Sequence, residues 1–235
     1  TSIGKVNYAL PMLNQNVTMR KYALGNFTEF AKAMFSDGAL QVWLDGQENT
    51  VKAPNENFSR EMMELFVLGV NRYTETDVKE LARAFTGYQV PRSTGVITYN
   101  ARRRDTSSVT VLGKTGVMSP EEVIAHLVAQ NNSALFIAER IWYRFVSSQE
   151  PLPQDHPMIK AFADRDTYAL MKSLIESSAL SQEQYSMVKS PVEWFIGICR
   201  ALTITPSKLP SPTKLIGYLE KLSQVPFSPP NVGGW

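Results

Sequence analysis

Asn55-Glu56-Asn57-Phe58-Ser59-Arg60-Glu61-Met62-Met63-Glu64-Leu65-Phe66-Val67-Leu68-Gly69 mixes charged and apolar side chains more densely than any other stretch of the chain. Set on a helix at about 100° per residue, Leu65, Phe58, Met62, Phe66 and Met63 fill one continuous arc, and Glu56, Arg60, Glu64, Asn57 and Glu61 fill the arc opposite. Pro54 precedes the helix where a missing N–H matters little, and Asn55 is placed to cap its first turn. Glu56 falls at the positive end of the helix dipole, and Gly69 is a natural stop because it tolerates left-handed backbone. Arg60 lies four residues from both Glu56 and Glu64, which predicts a three-charge ladder. Val67 and Leu68 intrude on the polar arc. Their position predicts that other parts of the chain cover this face and leave Arg60, Glu61 and Glu64 partly buried, where charges must be paired or bind something.

The chain has 235 residues, 43% hydrophobic and 20% charged, a balance that suits one mainly helical domain over residues 1–235. A net charge of +2 argues against an evolved nucleic-acid surface. Cys199 is alone, which excludes an internal disulfide and a thiolate metal cluster, and His126 and His156 lie too differently for a multi-histidine site. No apolar run reaches the ~20 residues that cross a bilayer, so no transmembrane segment is expected in this chain. Thr1 to Asn16 lacks the pattern of a signal peptide. With no initiating Met, and with Gly233-Gly234-Trp235 following a Pro/Gly loop at the end, the chain reads as a fragment of a longer protein, truncated at both ends.

The fold expected is mainly α, a multi-helix orthogonal bundle with a short two-stranded β-hairpin insertion. Residues 14–35 read as one helix with a weak point at Gly25, and 39–44 as a second. Thr74 and Asp77 start a helix that runs to about Thr86 and forms a hairpin with the 55–69 helix. Residues 96–99 and 109–112 read as strands around a charged loop containing Arg102, Arg103, Arg104 and Asp105. Ser119-Pro120-Glu121-Glu122 is a strong helix start. The next helix runs through Val146, with Phe136, Ile137, Ile141, Trp142 and Phe145 as core candidates. Further helices are expected over 168–177, 192–202 and 212–224. The 192–202 helix is apolar nearly all round and should be buried, with Cys199 a core thiol.

Several of these blocks resemble the bacterial family catalogued as domain of unknown function 1800. The best match is Pro54-Asn55-Glu56-Asn57-Phe58-Ser59-Arg60-Glu61 with Glu64-Leu65-Phe66 and Leu68-Gly69, continuing through Tyr73-Thr74-Glu75, Asp77-Val78, Ala82-Arg83-Ala84 and Thr86-Gly87. Ala23-Leu24-Gly25-Asn26-Phe27, Trp43-Leu44-Asp45-Gly46, Val111-Leu112-Gly113, Lys189-Ser190-Pro191-Val192-Glu193 and the closing Phe227-Ser228-Pro229-Pro230-Asn231-Val232-Gly233-Gly234-Trp235 extend it over about 14–235. The family has no settled activity. The resemblance implies an exported bacterial protein, hence an extracytoplasmic location in the periplasm, at the cell surface or secreted. It also implies a partner from a second, co-encoded exported family, catalogued as 1501 and similar to sulfatases. Where the family commonly carries a His-Asp pair, this chain has Arg104-Asp105, so any role of that histidine is lost here or passes to arginine.

Two functions follow as expectations. The first is a binding or assembly module of the cell envelope built around the charged helix, with Asn55, Glu56, Asn57, Arg60, Asp77, Arg83, Arg104 and Lys189 as its binding residues. It needs no catalytic base and no cofactor. The alternative is an enzyme with a carboxylate-based hydrolytic site, for which Glu61, Glu64 and Asp105 are the catalytic candidates. Glu61 and Glu64, one turn apart, are also the candidate ligands for a divalent cation, since carboxylate oxygens suit calcium, magnesium or manganese. A third reading is anion binding by Arg102, Arg103, Arg104 and Lys189, against which the arginine run reads as a solvated hairpin tip.

Overall fold

Helical spacing and local caps set most of the elements. The computed structural model describes residues 1–182, 185, 187–205, 208–209 and 211–234, so Trp235 lies outside the described residues. The chain begins with α1 (Ile3–Val6), α2 (Ala9–Tyr22), α3 (Phe27–Phe35), α4 (Gly38–Trp43) and α5 (Asn57–Glu61). A π-turn (Met62–Val67) follows directly, then α6 (Glu75–Ala84). Two small antiparallel hairpins come next: β1 (Tyr88–Gln89) with β2 (Thr98–Tyr99), and β3 (Val109–Val111) with β4 (Lys114–Gly116). The helices that follow are α7 (Pro120–Ala129), α8 (Asn131–Phe145), α9 (Pro157–Ala161), α10 (Thr167–Glu176), α11 (Pro191–Ala201) and α12 (Pro212–Lys221). The fold is mainly α with small β insertions.

The central segment is helical, but it changes pitch half-way. On a regular α-helix, residues five apart sit about 140° from one another, which would put Val67 and Leu68 on the polar side. From Met62 the backbone switches to i→i+5 bonding, and the Leu68 N–H donates to the Met63 carbonyl at 2.9 Å. This wider turn brings residues five apart back toward one face. Met62, Met63, Val67 and Leu68 are therefore all buried together, with Phe58 one turn before them. The intrusion of Val67 and Leu68 reflects a change of helical period. Gly69 ends the segment at φ +91°, and a β-carbon there would come within 2.8 Å of the Phe136 ring.

Four expectations are corrected. The 14–35 helix is two helices, because the Asn26 side chain accepts the N–H groups of Thr28 (2.9 Å) and Glu29 (3.3 Å) and starts α3 afresh. The single hairpin is two. Leu112 (φ 45°) and Gly113 (φ 78°) make a tight turn that folds the 109–111 strand back on 114–116, while Thr98 and Tyr99 pair with Gln89 and Tyr88. The 192–202 helix is not buried: Trp194 is 55% and Leu202 65% exposed. Only one row of it turns inward, where Cys199 is buried and Val192 and Phe195 are half-buried. Phe145 is likewise exposed, whereas Trp142 is buried and donates from Nε1 to the Glu150 carbonyl at 2.9 Å.

The main core gathers Phe35, Phe58 and Phe85, with ring centroids 4.6–5.8 Å apart. Met62, Met63, Val67, Leu81, Val111, Ile124 and Leu127 complete it. A second core holds Trp142, Met158, Phe162, Leu170 and Leu174. Phe27 packs on both, with its ring 6.0 Å from that of Phe162. Arg165 ties the two cores through the end of α7, donating to the carbonyls of Val128 (2.7 Å), Ala129 (3.2 Å) and Gln130 (3.1 Å). Phe58 touches both other rings of the aromatic triad and is 1% exposed. Phe58→Ala is expected to lower the unfolding free energy by about 3–5 kcal/mol, read from the midpoint of urea denaturation.

Candidate functional site

Arg60 organises the outer face of the central helix, but not in the ladder expected. Its guanidinium forks onto Glu75 of α6, with both N···O distances 2.7 Å, and reaches Glu56 at 3.1 Å. Glu64 is not a rung. It accepts the Tyr73 hydroxyl at 2.7 Å instead, because the π-turn after Met62 carries it away from the position that a regular helix would give. Arg60 is one-third exposed and Glu75 two-thirds exposed, so this clamp contributes on the order of 1 kcal/mol or less. The hydrogen bond from Arg60 to Glu75 still holds the guanidinium firmly charged. Burial, and then the bond to Glu64, push the Tyr73 phenol up. Arg60, Glu61 and Glu64 are each partly buried. Glu61 has no hydrogen-bond partner among the described residues. Burial and then the charge of Glu64 raise its carboxyl above the ordinary 4.5, with Arg60 partly opposing them.

The other candidates serve as cross-braces between α6 and the segment that follows it. Arg83 donates to Asp105 (2.8 Å) and Glu80 (2.7 Å), and Glu80 accepts the Thr110 N–H at 3.0 Å. Asp77 closes the capping box with Thr74 and also accepts the Leu112 N–H at 2.7 Å. Burial works against the Asp105 carboxylate, but the bonds from Arg83 and Ser107 outweigh it and hold its pKa below the ordinary range. Arg104 turns inward and caps the end of α6, donating to the carbonyls of Ala84 and Thr86, and it reaches Met118 O at 2.8 Å. The run 102–104 is therefore not a hairpin tip: it connects the two hairpins, and Arg104 fastens it to α6.

Glu56, not Asn55, is the N-cap residue of the central helix and makes no side-chain cap bond; Asn55, one position earlier, accepts the Asn57 N–H at 2.9 Å. Asn57 donates to the Leu44 carbonyl at 3.1 Å, which ties the helix to the end of α4. Lys189 lies apart from all of these, exposed beside Arg144 and Glu193 at the start of α11. Glu61 and Glu64 thus face out beside Tyr73 and Arg60, whereas Asp77, Arg83, Arg104 and Asp105 form a separate brace. Among the described residues, no group of three or more His, Cys, Asp or Glu side chains is arranged to hold a metal ion. His126 donates toward the Val111 carbonyl (3.1 Å), and His156 caps α9 (3.3 Å).

The opposite side of the same helix offers a different kind of site. Met62, Leu65, Phe66 and Val67 of the π-turn line an apolar cavity of 280 Å³ together with α3 (Phe27, Phe30, Ala31, Met34) and α8 (Phe136, Ile137). Arg140 stands at its edge, exposed, 5.6 Å from the Tyr143 ring and in no ion pair among the described residues.

Compared with known proteins, residues 1–235 match the model of one family, described as a protein of unknown function (DUF1800). The chain belongs to this family. No curated protein and no solved structure matches it. Membership in DUF1800 confirms the resemblance of the 54–87 block and extends it over the whole chain, but it assigns no activity. Among the described residues no helix is long and apolar enough to cross a membrane. Arg104 and Asp105 have structural duties: one caps a helix, the other anchors Arg83.

Sequence reasoning missed Glu75 as the partner of Arg60, Tyr73 as the partner of Glu64, and the cavity. The hairpin of helices brings the first two into reach, so the only local signal was their place in a short connection. Two outcomes test the site. Glu61 carries a raised carboxyl in the folded chain, so its ionisation opposes folding as pH climbs above the ordinary value of 4.5. Glu61→Gln should raise the melting temperature at about pH 7 and lose that gain below about pH 4. Asp105 behaves in the opposite sense: its contribution is present above the ordinary 3.8 and lost as pH falls through its depressed folded value. Asp105→Asn should cost about 1–3 kcal/mol at neutral pH and progressively less in acid, by urea denaturation at each pH.

Proposed function

We propose that the chain is a binding or assembly module of the bacterial cell envelope, organised around the 55–69 helix. One observation carries this reading. The charged residues with the best chemistry are mostly engaged with one another as braces, while the opposite side of the same helix lines an apolar cavity. At 280 Å³ the cavity lies near the lower end of the ~300–1,000 Å³ of ligand pockets. Met19, Met34 and Met62 give it adaptable walls, and Arg140 offers an anion contact at its edge. The ligand that fits is a short aliphatic chain ending in a carboxylate. The resemblance supports an extracytoplasmic place of action and, as assembly partner, the co-encoded exported protein similar to sulfatases.

The competing reading, a carboxylate enzyme using a divalent cation, retains one point in its favour: Glu61 is partly buried and without a hydrogen-bond partner among the described residues. Thermal shift separates the two, because a ligand of the folded state raises the melting temperature. Octanoate should raise it by several degrees, and Arg140→Glu or the cavity-blocking Ile137→Trp should abolish the rise. Millimolar calcium, magnesium or manganese should leave it unchanged. A cation-dependent rise that disappears in Glu61→Gln would reverse the assignment, and no response to octanoate would remove the ligand proposed. Co-sedimentation with the purified sulfatase-like protein tests the partner.

A further inference from the structure

On a different face, the structure assigns a site for a tetrahedral oxyanion, a phosphate or sulfate group, to Lys52, Arg102 and Arg103. These residues come from two turns about fifty positions apart. The Val51 N–H donates to the Arg103 carbonyl at 2.9 Å and zips the turns together. The first turn is closed by reciprocal backbone bonds between Thr50 and Ala53 (3.3 and 3.1 Å) and by the Thr50 hydroxyl, which accepts the Ala53 N–H at 3.1 Å. The second is closed by the Asn100 side chain, which accepts the Arg102 N–H at 3.1 Å and donates to Gln89 at 3.0 Å. The backbone beneath the three cations is therefore built before any ligand arrives.

Lys52, Arg102 and Arg103, with Thr50 and Val51, line a single depression of 370 Å³. Like charges gathered in one concavity repel, and a folded chain ordinarily sets acids among them. None does so here: among the described residues no ion pair involves Lys52, Arg102 or Arg103. Glu48, an acid on the neighbouring turn, lines a separate depression that Arg103 also borders. Arg103 is half-buried and held by its bond to the Gln47 carbonyl at 2.6 Å. Two arginines and one lysine among the five residues that line one hollow match the charge of a phosphate or sulfate group. Arg104, the third arginine of the run, contributes nothing, because it caps α6.

The site shares no residue with the apolar cavity, so its test stands alone. Isothermal titration with inorganic phosphate and with sulfate, at constant ionic strength set by sodium chloride, reads binding directly. Phenyl phosphate and phenyl sulfate then tell which ester is preferred. The Lys52→Ala/Arg102→Ala double variant should weaken binding about tenfold or more, which its exposed positions allow without loss of the fold. Arg92→Ala, at an exposed cation outside the depression, should bind as the parent does. Equal loss in both variants would mean general charge attraction and overturn the site, as would unchanged affinity in the double variant. Absence of binding by the parent to all four probes would overturn it as well.

Discussion

Two pairs of apolar residues, Met62-Met63 and Val67-Leu68, have to reach the same core from positions five apart in one helix. A regular helix cannot bring both inward, and the chain resolves the conflict by widening its turn where the second pair must enter. Much follows from that local change. It seats the segment under the aromatic triad, it turns Glu64 away from Arg60 and toward Tyr73, and it presents Leu65 and Phe66 to the cavity between α3 and α8.

Around this segment, α6 acts as the spine to which the irregular part of the chain is bound. Its outer row, Asp77, Glu80 and Arg83, is set to meet backbone N–H groups and one carboxylate of residues 105–112. Short hairpins have few ladder bonds of their own, so side-chain braces of this kind hold them in place. Arginine recurs at helix ends for a related reason. Arg104 donates to the Ala84 carbonyl at the end of α6, and Arg165 to three carbonyls at the end of α7, groups that a helix leaves without internal partners. Residues that look like site chemistry in a linear reading are in this way drawn into holding the fold. Chemistry directed outward remains at the cavity edge and at the Lys52 turn.

The sequence was most legible where the determining contacts are local. Thr74 with Asp77, Ser119 with Glu122 and Ser190 with Glu193 each make a capping box at the start of its helix, because both partners lie within one turn. The Arg60–Glu56 pair was readable for the same reason. The pairing of strands was not, since residues 96–99 and 109–112 have suitable composition but choose partners elsewhere. Nor was the exposure of α11, because a helix apolar all round does not say which row will be covered.

By itself, then, the order of residues determined a mainly helical chain, the starts of its helices, the two-sided character of the 55–69 segment and membership in its family. These depend on period, caps and turn residues, whose energies act over a few positions. Tertiary structure alone decided that Arg60 answers Glu75, that Arg104 closes a helix, that one turn is π rather than α, and that Lys52 meets Arg102 and Arg103. Each of these depends on groups brought together across the chain, where packing, not spacing, sets which partner lies within reach.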